Sequence, residues 1–437
     1  MIKKRRWLVA TFAIADVLCA YATEPLRMNL QQLYATAEAN NASIQSYNVK
    51  IQQAEEGIGV ANSARLPEMD ASASVSYLGN VKIWERPLKN AITAETPHFG
   101  NNVTLTASQV VYSGGAITSG IALARLEHEM TKVEADENRQ KVRFGLTGYY
   151  LQLHSLHNQM EVLDNNINLT ETLITLTKQR LEQGVALEND VTRNELQLEN
   201  LRLGRVRVED AMRIISHQLS TMLGMDTTVN IIPDDDFSNV LCPKDGEEAW
   251  QWLASERNIG MQKVAIGMKM ARQKVRLERS ELLPKVALVA EEHFDGPVTF
   301  EVPTLDRNIN YWFVGVGVKY NISSLWKSSK RVRQARTAVL HNELQQRETA
   351  DGVNDAIQAA YTNYLTSFTE LSTRQKSVKL ATQNYDVIQN RYTEGLALIT
   401  DMVDAANVKL EAELALVNAR INVIYNYYKL KYISNTL

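Results

Sequence analysis

His154 and His157 stand three residues apart on a helical stretch, a spacing at which two imidazoles could share a metal ion. No third ligand lies nearby, and a polar helix face accounts for both. Asp234, Asp235 and Asp236 could attract a divalent cation, but the run reads as a solvated loop. The twelve methionines fall along apolar seams, as at Met160, Met212 and Met222, where they fill core rather than handle copper. Walker loop, dinucleotide fingerprint, zinc-type His/Cys cluster and nucleophile elbow are all missing from the sequence, so no enzyme, cofactor or metal site is expected. What remains is Asp401 and Asp404, set in the first turn of a helix. Carboxylates there cap free N–H groups and suit the helix dipole.

The elements that hold these residues come in duplicate. The stretch RLEQGVALENDV at 180–191 returns as RYTEGLALITDM at 391–402, an offset of 211 residues in a chain of 437. Two tandem copies of one unit therefore make up the chain. In the first copy Val142, Leu146, Tyr149, Leu153, Leu156, Met160, Leu163, Ile167, Thr170, Ile174, Thr177 and Leu181 are spaced alternately four and three, a heptad seam. The same register recurs from Val353 through Ile357, Ala360 and Tyr364 to Tyr385 and Tyr392. Neither seam contains proline, so each predicts an uninterrupted helix of roughly 65 residues, about 100 Å of rod. A glycine turn follows each, at Gly184 and Gly395, and then a second heptad helix, which makes antiparallel hairpins.

Before each rod the period changes from 3.5 to 2. Pro67 and Pro284 each end a shorter helix and open a strand, at 71–77 and 286–290, and each strand has a return partner. Val103, Leu105 and Ala107 alternate with polar residues in one partner. Trp312, Val314, Val316, Val318 and Tyr320 alternate with Phe313, Gly315, Gly317 and Lys319 in the other. Apolar-out, small-or-polar-in segments of about ten residues suit a transmembrane barrel. Four strands cannot close one, and open edges are not tolerated in hydrocarbon, so several chains must contribute. Two copies would give eight strands and three would give twelve; only the wider barrel leaves a water-filled interior. Segments around 80–101 and 296–310 read as outside-facing loops.

The expected organisation is a signal peptide over 1–22, a first repeat over 23–223, a linker over 224–257 and a second repeat over 258–437. Within the repeats the strand pairs fall in 67–112 and 284–321. The long helices cover 116–182 and 326–394, and the returning helices 187–223 and 398–433. Lys3 to Arg6, an apolar run and Ala20-Tyr21-Ala22 carry the export reading, with Cys19 inside the signal and Cys242 alone in the mature chain. A formal net charge of −3 argues against a nucleic-acid partner. The competing reading is a periplasmic coiled-coil spacer whose strands form a soluble sheet.

The repeated R-x-x-x-G-x-x-x-x-x-D at each hairpin, the proline-opened strand pairs, Val110-Val111-Tyr112-Ser113-Gly114-Gly115 and Asp404-Ala405-Ala406-Asn407 together resemble the TolC-like outer-membrane efflux proteins. The resemblance runs from about Leu30 to Tyr432. It implies a mainly α fold with a transmembrane β portion, in which coiled-coil helices form an α-barrel tunnel and a trimer supplies a twelve-stranded β-barrel. It also implies an outer-membrane exit duct with a large periplasmic portion, docked through a periplasmic adaptor onto an inner-membrane pump or secretion ATPase.

Site roles follow from the same resemblance. Asp401 and Asp404 match the acidic constriction that faces the lumen, where three chains would gather six carboxylates into a cation-favouring ring. Asp190 and Tyr392 match residues that hydrogen-bond between the two hairpins and hold the tip closed. Gly184-Val185 and Gly395-Leu396 match the surface where adaptor helices dock. Ala397 departs from the pattern, since the best-known relatives carry an arginine there; Arg193 and Lys178 are the nearest basic residues to replace it.

Overall fold

The structure is a computed structural model that describes residues 26–235, 237, 246–301 and 304–437. The expected signal over 1–22, with Cys19, and also Asp236 and Cys242, lie outside the described residues. In chain order the elements are β1 (Leu26–Met28), α1 (Leu30–Asn40), α2 (Ala42–Ser63), β2 (Glu68–Tyr77), β3 (Val81–Ile83), β4 (Ile92–Ala94), β5 (Phe99–Tyr112), α3 (Ala116–Glu182) and α4 (Glu188–Leu223). They continue as β6 (Ile231–Pro233), α5 (Glu247–Arg257), α6 (Ile259–Ser280), β7 (Lys285–Gly296), β8 (Ile309–Lys319), α7 (Ser324–Thr393) and α8 (Ile399–Ile433). Helix dominates, with the strands concentrated ahead of α3 and α7.

The chain divides into two compact units. One comprises Met1–Thr36, Gly148–Ser238 and Val378–Asn418; the other comprises Ala37–Thr147, Asn239–Ser377 and Ala419–Leu437.

The second of these holds the sheet. Its order is β2-β5-β7-β8, antiparallel throughout, so the two strand pairs meet at β5 and β7. The register aligns Ala73 with Val103, Val103 with Phe294 and Leu288 with Val316. Because side chains alternate across a strand, this gathers Val75, Val103, Leu288, Phe294, Val314, Val316 and Val318 on one face. That face is bare: Val75 is 75 % exposed and Val314 69 %. The opposite face carries Ser72, Ser74, Thr104, Thr106, Glu291, His293, Asp295, Gly315 and Gly317. β2 pairs only with β5 and β8 only with β7 among the described residues, which leaves both outer edges of the sheet unpaired.

Gly114 explains how strand turns into rod. It sits at φ +63°, and a Cβ there would lie 2.7 Å from the Ser280 carbonyl oxygen and 2.8 Å from the Leu283 Cβ. Only glycine fits both the left-handed backbone and this close approach. Two segments expected to be loops hold more order: β3 and β4 pair as a hairpin, and Val298 bridges Leu305.

In the other unit, β1 and β6 form a short parallel ribbon inside what the sequence offered as leader-proximal chain and linker. Tyr150 anchors it. Fully buried, its hydroxyl donates to the Met28 carbonyl (3.1 Å) and accepts from the Asp234 and Asp235 N–H groups (3.1 and 3.2 Å). Asp235 in turn accepts the Leu30 N–H at 2.8 Å, capping α1. Burial first, then the Asp235 hydrogen bond, pushes the Tyr150 hydroxyl above the ordinary tyrosine range.

Candidate functional site at the hairpin tips

All the candidate tip residues lie in the same unit as Tyr150. Both turns close in one way. Gly184 (φ +73°) and Gly395 (φ +76°) are left-handed, with Val185 N–H donating to Arg180 O (2.9 Å) and Leu396 N–H to Arg391 O (2.7 Å). This is the Schellman closure that glycine permits. Past each turn the chain shows apolar side chains to solvent: Val185 and Leu187 in the first copy, Leu396 and Leu398 in the second. Leu187 and Leu398 had drawn no attention in the sequence, although they too repeat at the same offset.

Asp190 and Asp401 are equivalent in the repeat and do equivalent work. The Asp190 carboxylate accepts the Leu187 N–H (3.0 Å), and the Asp401 carboxylate accepts the Leu398 N–H (3.1 Å). Each ties the start of its own helix. Asp401 and Asp404 are both exposed, while Met402 and Ala405 beside them turn inward to a cluster with Leu173, Tyr385, Tyr392 and Ile399. Ala397 packs against that cluster.

Tyr392 does not bond to Asp190 within the chain; it bonds to Thr177. The Thr177 hydroxyl donates to Leu173 O at 2.8 Å, so its lone pairs face Asn194 Nδ2 and the Tyr392 hydroxyl, each at 3.2 Å. With its single proton already used, Thr177 must accept from Tyr392. One buried hydroxyl thus joins α3, α4 and α7.

The basic residue that crosses between hairpins is Arg180. Its Nη1 donates to Tyr392 O (2.6 Å) and Thr393 O (2.9 Å), and the guanidinium lies 5.1 Å from the Tyr392 ring centre. A cation there adds to the Gly395 N–H already on the Tyr392 carbonyl (3.0 Å), reaches the Thr393 carbonyl at the end of α7, and suits the dipole. Of the two basic residues named from sequence, Lys178 pairs instead with Glu195 on its own hairpin (2.9 Å), and Arg193 is exposed.

The other chemical candidates resolve into structure. His154 Nδ1 accepts from Asn158 at 3.1 Å, and His157 Nδ1 donates to Leu153 O at 3.2 Å. Among the described residues no group of three or more His, Cys, Asp or Glu is arranged to hold a metal ion. No described helix is long and apolar enough to cross a membrane, so the exposed apolar sheet face is the surface to match to known folds.

The family model for outer membrane efflux protein matches residues 33–225 and 252–435, both repeats. The chain belongs to this family. Among relatives of the efflux family, outer membrane protein TolC of Salmonella enteritidis is 21 % identical over 432 residues, covering 96 % of this chain and 84 % of the relative. Outer membrane efflux protein BepC of Brucella suis biovar 1 is 20 % identical over 435 residues, covering 98 % and 90 %. The outer membrane protein VceC of Vibrio cholerae shares the fold with a TM-score of 0.77 at 16 % identity, over 93 % of this chain and 95 % of that one. The Campylobacter jejuni CmeC outer membrane channel does so at 0.74 and 14 % identity, over 99 % and 94 %. This efflux-family chain is therefore an outer-membrane protein with a large periplasmic portion, and its family is one of channels, not enzymes.

Proposed function

We propose that three copies of this chain close one barrel in the outer membrane and form a passive exit duct, gated at the hairpin tips, for a tripartite efflux or type I secretion system. One observation carries the reading: a four-stranded sheet with a bare apolar face and both edges unpaired. In hydrocarbon an unpaired backbone group costs several kcal/mol, so β2 of one copy must meet β8 of the next. Three copies of four strands give a barrel wide enough to hold water, lined by the serine, threonine, glycine and acidic face.

At the hairpin tips, Asp401 and Asp404 from three chains form an acidic ring that favours cations. Capping and selectivity coexist there, because the Asp401 carboxylate accepts the Leu398 N–H through one oxygen and is exposed to solvent. Tyr392 and Arg180 hold the second hairpin against the first, and Asp190 supports the latch by fixing the start of α4. The tips, Gly184-Val185 and Gly395-Leu396 with Leu187 and Leu398, offer an apolar docking surface to a periplasmic adaptor, which couples the duct to an inner-membrane pump or ATPase. Energy comes from those partners, and the duct itself carries no catalytic group.

The test is fractionation with gel analysis of the full chain. A heat-sensitive trimer in the outer-membrane fraction is expected, with conducting channels in a planar bilayer. Release by osmotic shock as a single copy would end the proposal.

A further inference from the structure

We infer that the second repeat carries a binding surface for anionic phospholipid headgroups, placed where α6 and α7 meet the base of the sheet. Duplication makes the surface visible, since whatever the architecture alone requires should appear in both copies. At the start of α7 stand Lys327, Lys330, Arg331, Arg333 and Arg336. At the repeat offset the first copy has Ala116, Ser119, Gly120, Ala122 and Arg125, so only Arg336 has a cationic counterpart. The end of α6 repeats the contrast. Aligning Pro284 with Pro67 sets Arg272, Lys274, Arg276 and Arg279 against Glu55, Gly57, Gly59 and Asn62.

The two basic helix ends lie side by side. Arg331 and Lys274 both reach Glu278, each at 3.7 Å, and this carboxylate, less exposed than either cation, ties α7 to α6. Arg276 and Arg279 on the same end of α6, and Lys327, Lys330, Arg333 and Arg336 on the same end of α7, are exposed. No carboxylate occurs in α7 before Glu343, so the patch has a strong positive excess.

Its height relative to the membrane follows from the sheet. The end of the sheet joined by loops is at Tyr77, Phe99, Gly296 and Ile309; the other end, at Glu68, Tyr112, Lys285 and Lys319, leads into helix. α7 starts at Ser324, five residues after β8 ends. At ~1.5 Å per residue, Lys327 and Lys330 lie roughly 5 and 9 Å along the helix, and Arg333 and Arg336 roughly 14 and 18 Å. Headgroups occupy several ångströms beyond the hydrocarbon, and their field reaches about another 8–10 Å. Lys327, Lys330 and Arg333 therefore fall within reach of the leaflet that borders the helices, and Arg336 stands at its margin. Ile322, Leu325 and Trp326, each more than half exposed, precede the cations, and an indole followed by lysines is the composition of a membrane interface. An anionic headgroup is the ligand that this order of residues suits, with acyl chains against the apolar sheet face and phosphate against the cations.

The inference rests on the membrane placement of the sheet, and the experiment separates the two. Full-length chain is extracted in mild detergent, and co-purifying phospholipids are measured by mass spectrometry against the bulk membrane, at low and at 1 M salt. The same is done for Lys327→Gln/Lys330→Gln/Arg333→Gln/Arg336→Gln, and for a control with Arg202→Gln and Arg213→Gln on α4. Wild type and control should retain phosphatidylglycerol or cardiolipin at least about fivefold above bulk, and the quadruple variant and high salt should abolish that enrichment. Wild-type chain in the membrane fraction without enrichment, or with enrichment indifferent to both salt and variant, overturns the inference alone. A wild type that lacks enrichment and a quadruple variant that dissociates into single copies would make the patch a contact between chains, meeting acids such as Glu55 and Glu56. A wild type absent from the membrane fraction removes the placement and the inference together.

Discussion

Replacing Arg180 with methionine should open the tip. The substitution keeps most of the aliphatic length while removing two charge-assisted hydrogen bonds, to Tyr392 O and Thr393 O, and the stacking of a cation on the Tyr392 ring. Hydrogen bonds to charged groups contribute about 1.5–3 kcal/mol each and an exposed cation–π contact about 0.5–1 kcal/mol. Arg180 is only half-buried, so solvent recovers part of this, and about 3 kcal/mol is a reasonable total for the crossing contact. That corresponds to roughly a hundredfold rise in the ratio of open to closed tips. Single-channel recording of purified wild-type and Arg180→Met chains in a planar bilayer reads the ratio directly, as longer openings or a larger unitary conductance. Lys178→Met is the control, because its ion pair with Glu195 stays within one hairpin. If Arg180→Met gates like wild type, the crossing guanidinium does not hold the tip and the latch must lie between chains.

Four further outcomes follow. Asp401→Ala with Asp404→Ala should reduce cation over anion permeability in reversal-potential measurements, and unchanged selectivity would move the acidic ring elsewhere. Gly395→Leu forces a bulky side chain onto a left-handed backbone at about 1–2 kcal/mol and places it near Arg180 Nη2, 3.5 Å from the ideal Cβ; it should abolish transport in whole cells while trimers persist on a mild gel. Tyr150→Phe removes the hydroxyl that the Asp235 N–H donates to, while the Asp234 N–H keeps the Met28 carbonyl at 3.1 Å; the change should cost about 1–3 kcal/mol, seen as faster hydrogen exchange at the Asp235 amide. Burial raises the Glu137 carboxyl, but hydrogen bonds from Lys141 and Lys263 more than reverse this and hold it below the usual carboxylate range. A lowered folded-state value means its stabilisation is present above the ordinary carboxylate range and lost as pH falls below about 4. Urea midpoints should fall across that window in wild type and less in Glu137→Gln.

Period carried most of the fold. The heptad spacing from Val142 onward names side chains that are buried, including Val142, Leu146, Leu153, Leu156, Leu163, Thr170, Ile174 and Thr177. Where it slips, chemistry explains the slip: Tyr150 rather than Tyr149 turns inward, because its hydroxyl has three backbone partners to serve. β1 and β6 escaped notice since three-residue strands are too short to alternate, and their pairing depends on chain some 200 residues away. Arg180 was hidden for the opposite reason. It belongs to the repeated motif and matches Arg391, so it read as part of the architecture, whereas its contact is with the other copy. Asp401 was legible as a helix-start residue and stands there, whereas Asp404 lies beyond the first turn of α8 and caps nothing among the described hydrogen bonds; the acidic ring proposed for them would be a property of several chains, which one sequence states only through resemblance.

The two free margins of the sheet are unlike each other: β2 is alanine and serine with Met69 and Tyr77, β8 is valine and glycine with Trp312. In the proposed trimer a margin of one kind mates with the other kind, head to tail, and such contacts propagate in one direction until they meet their own beginning. A chain spoiled at a single margin can still recruit a sister through the intact one, yet the circle it joins never shuts. Damage to one margin would then spread to healthy chains made in the same cell, so its inheritance would be dominant.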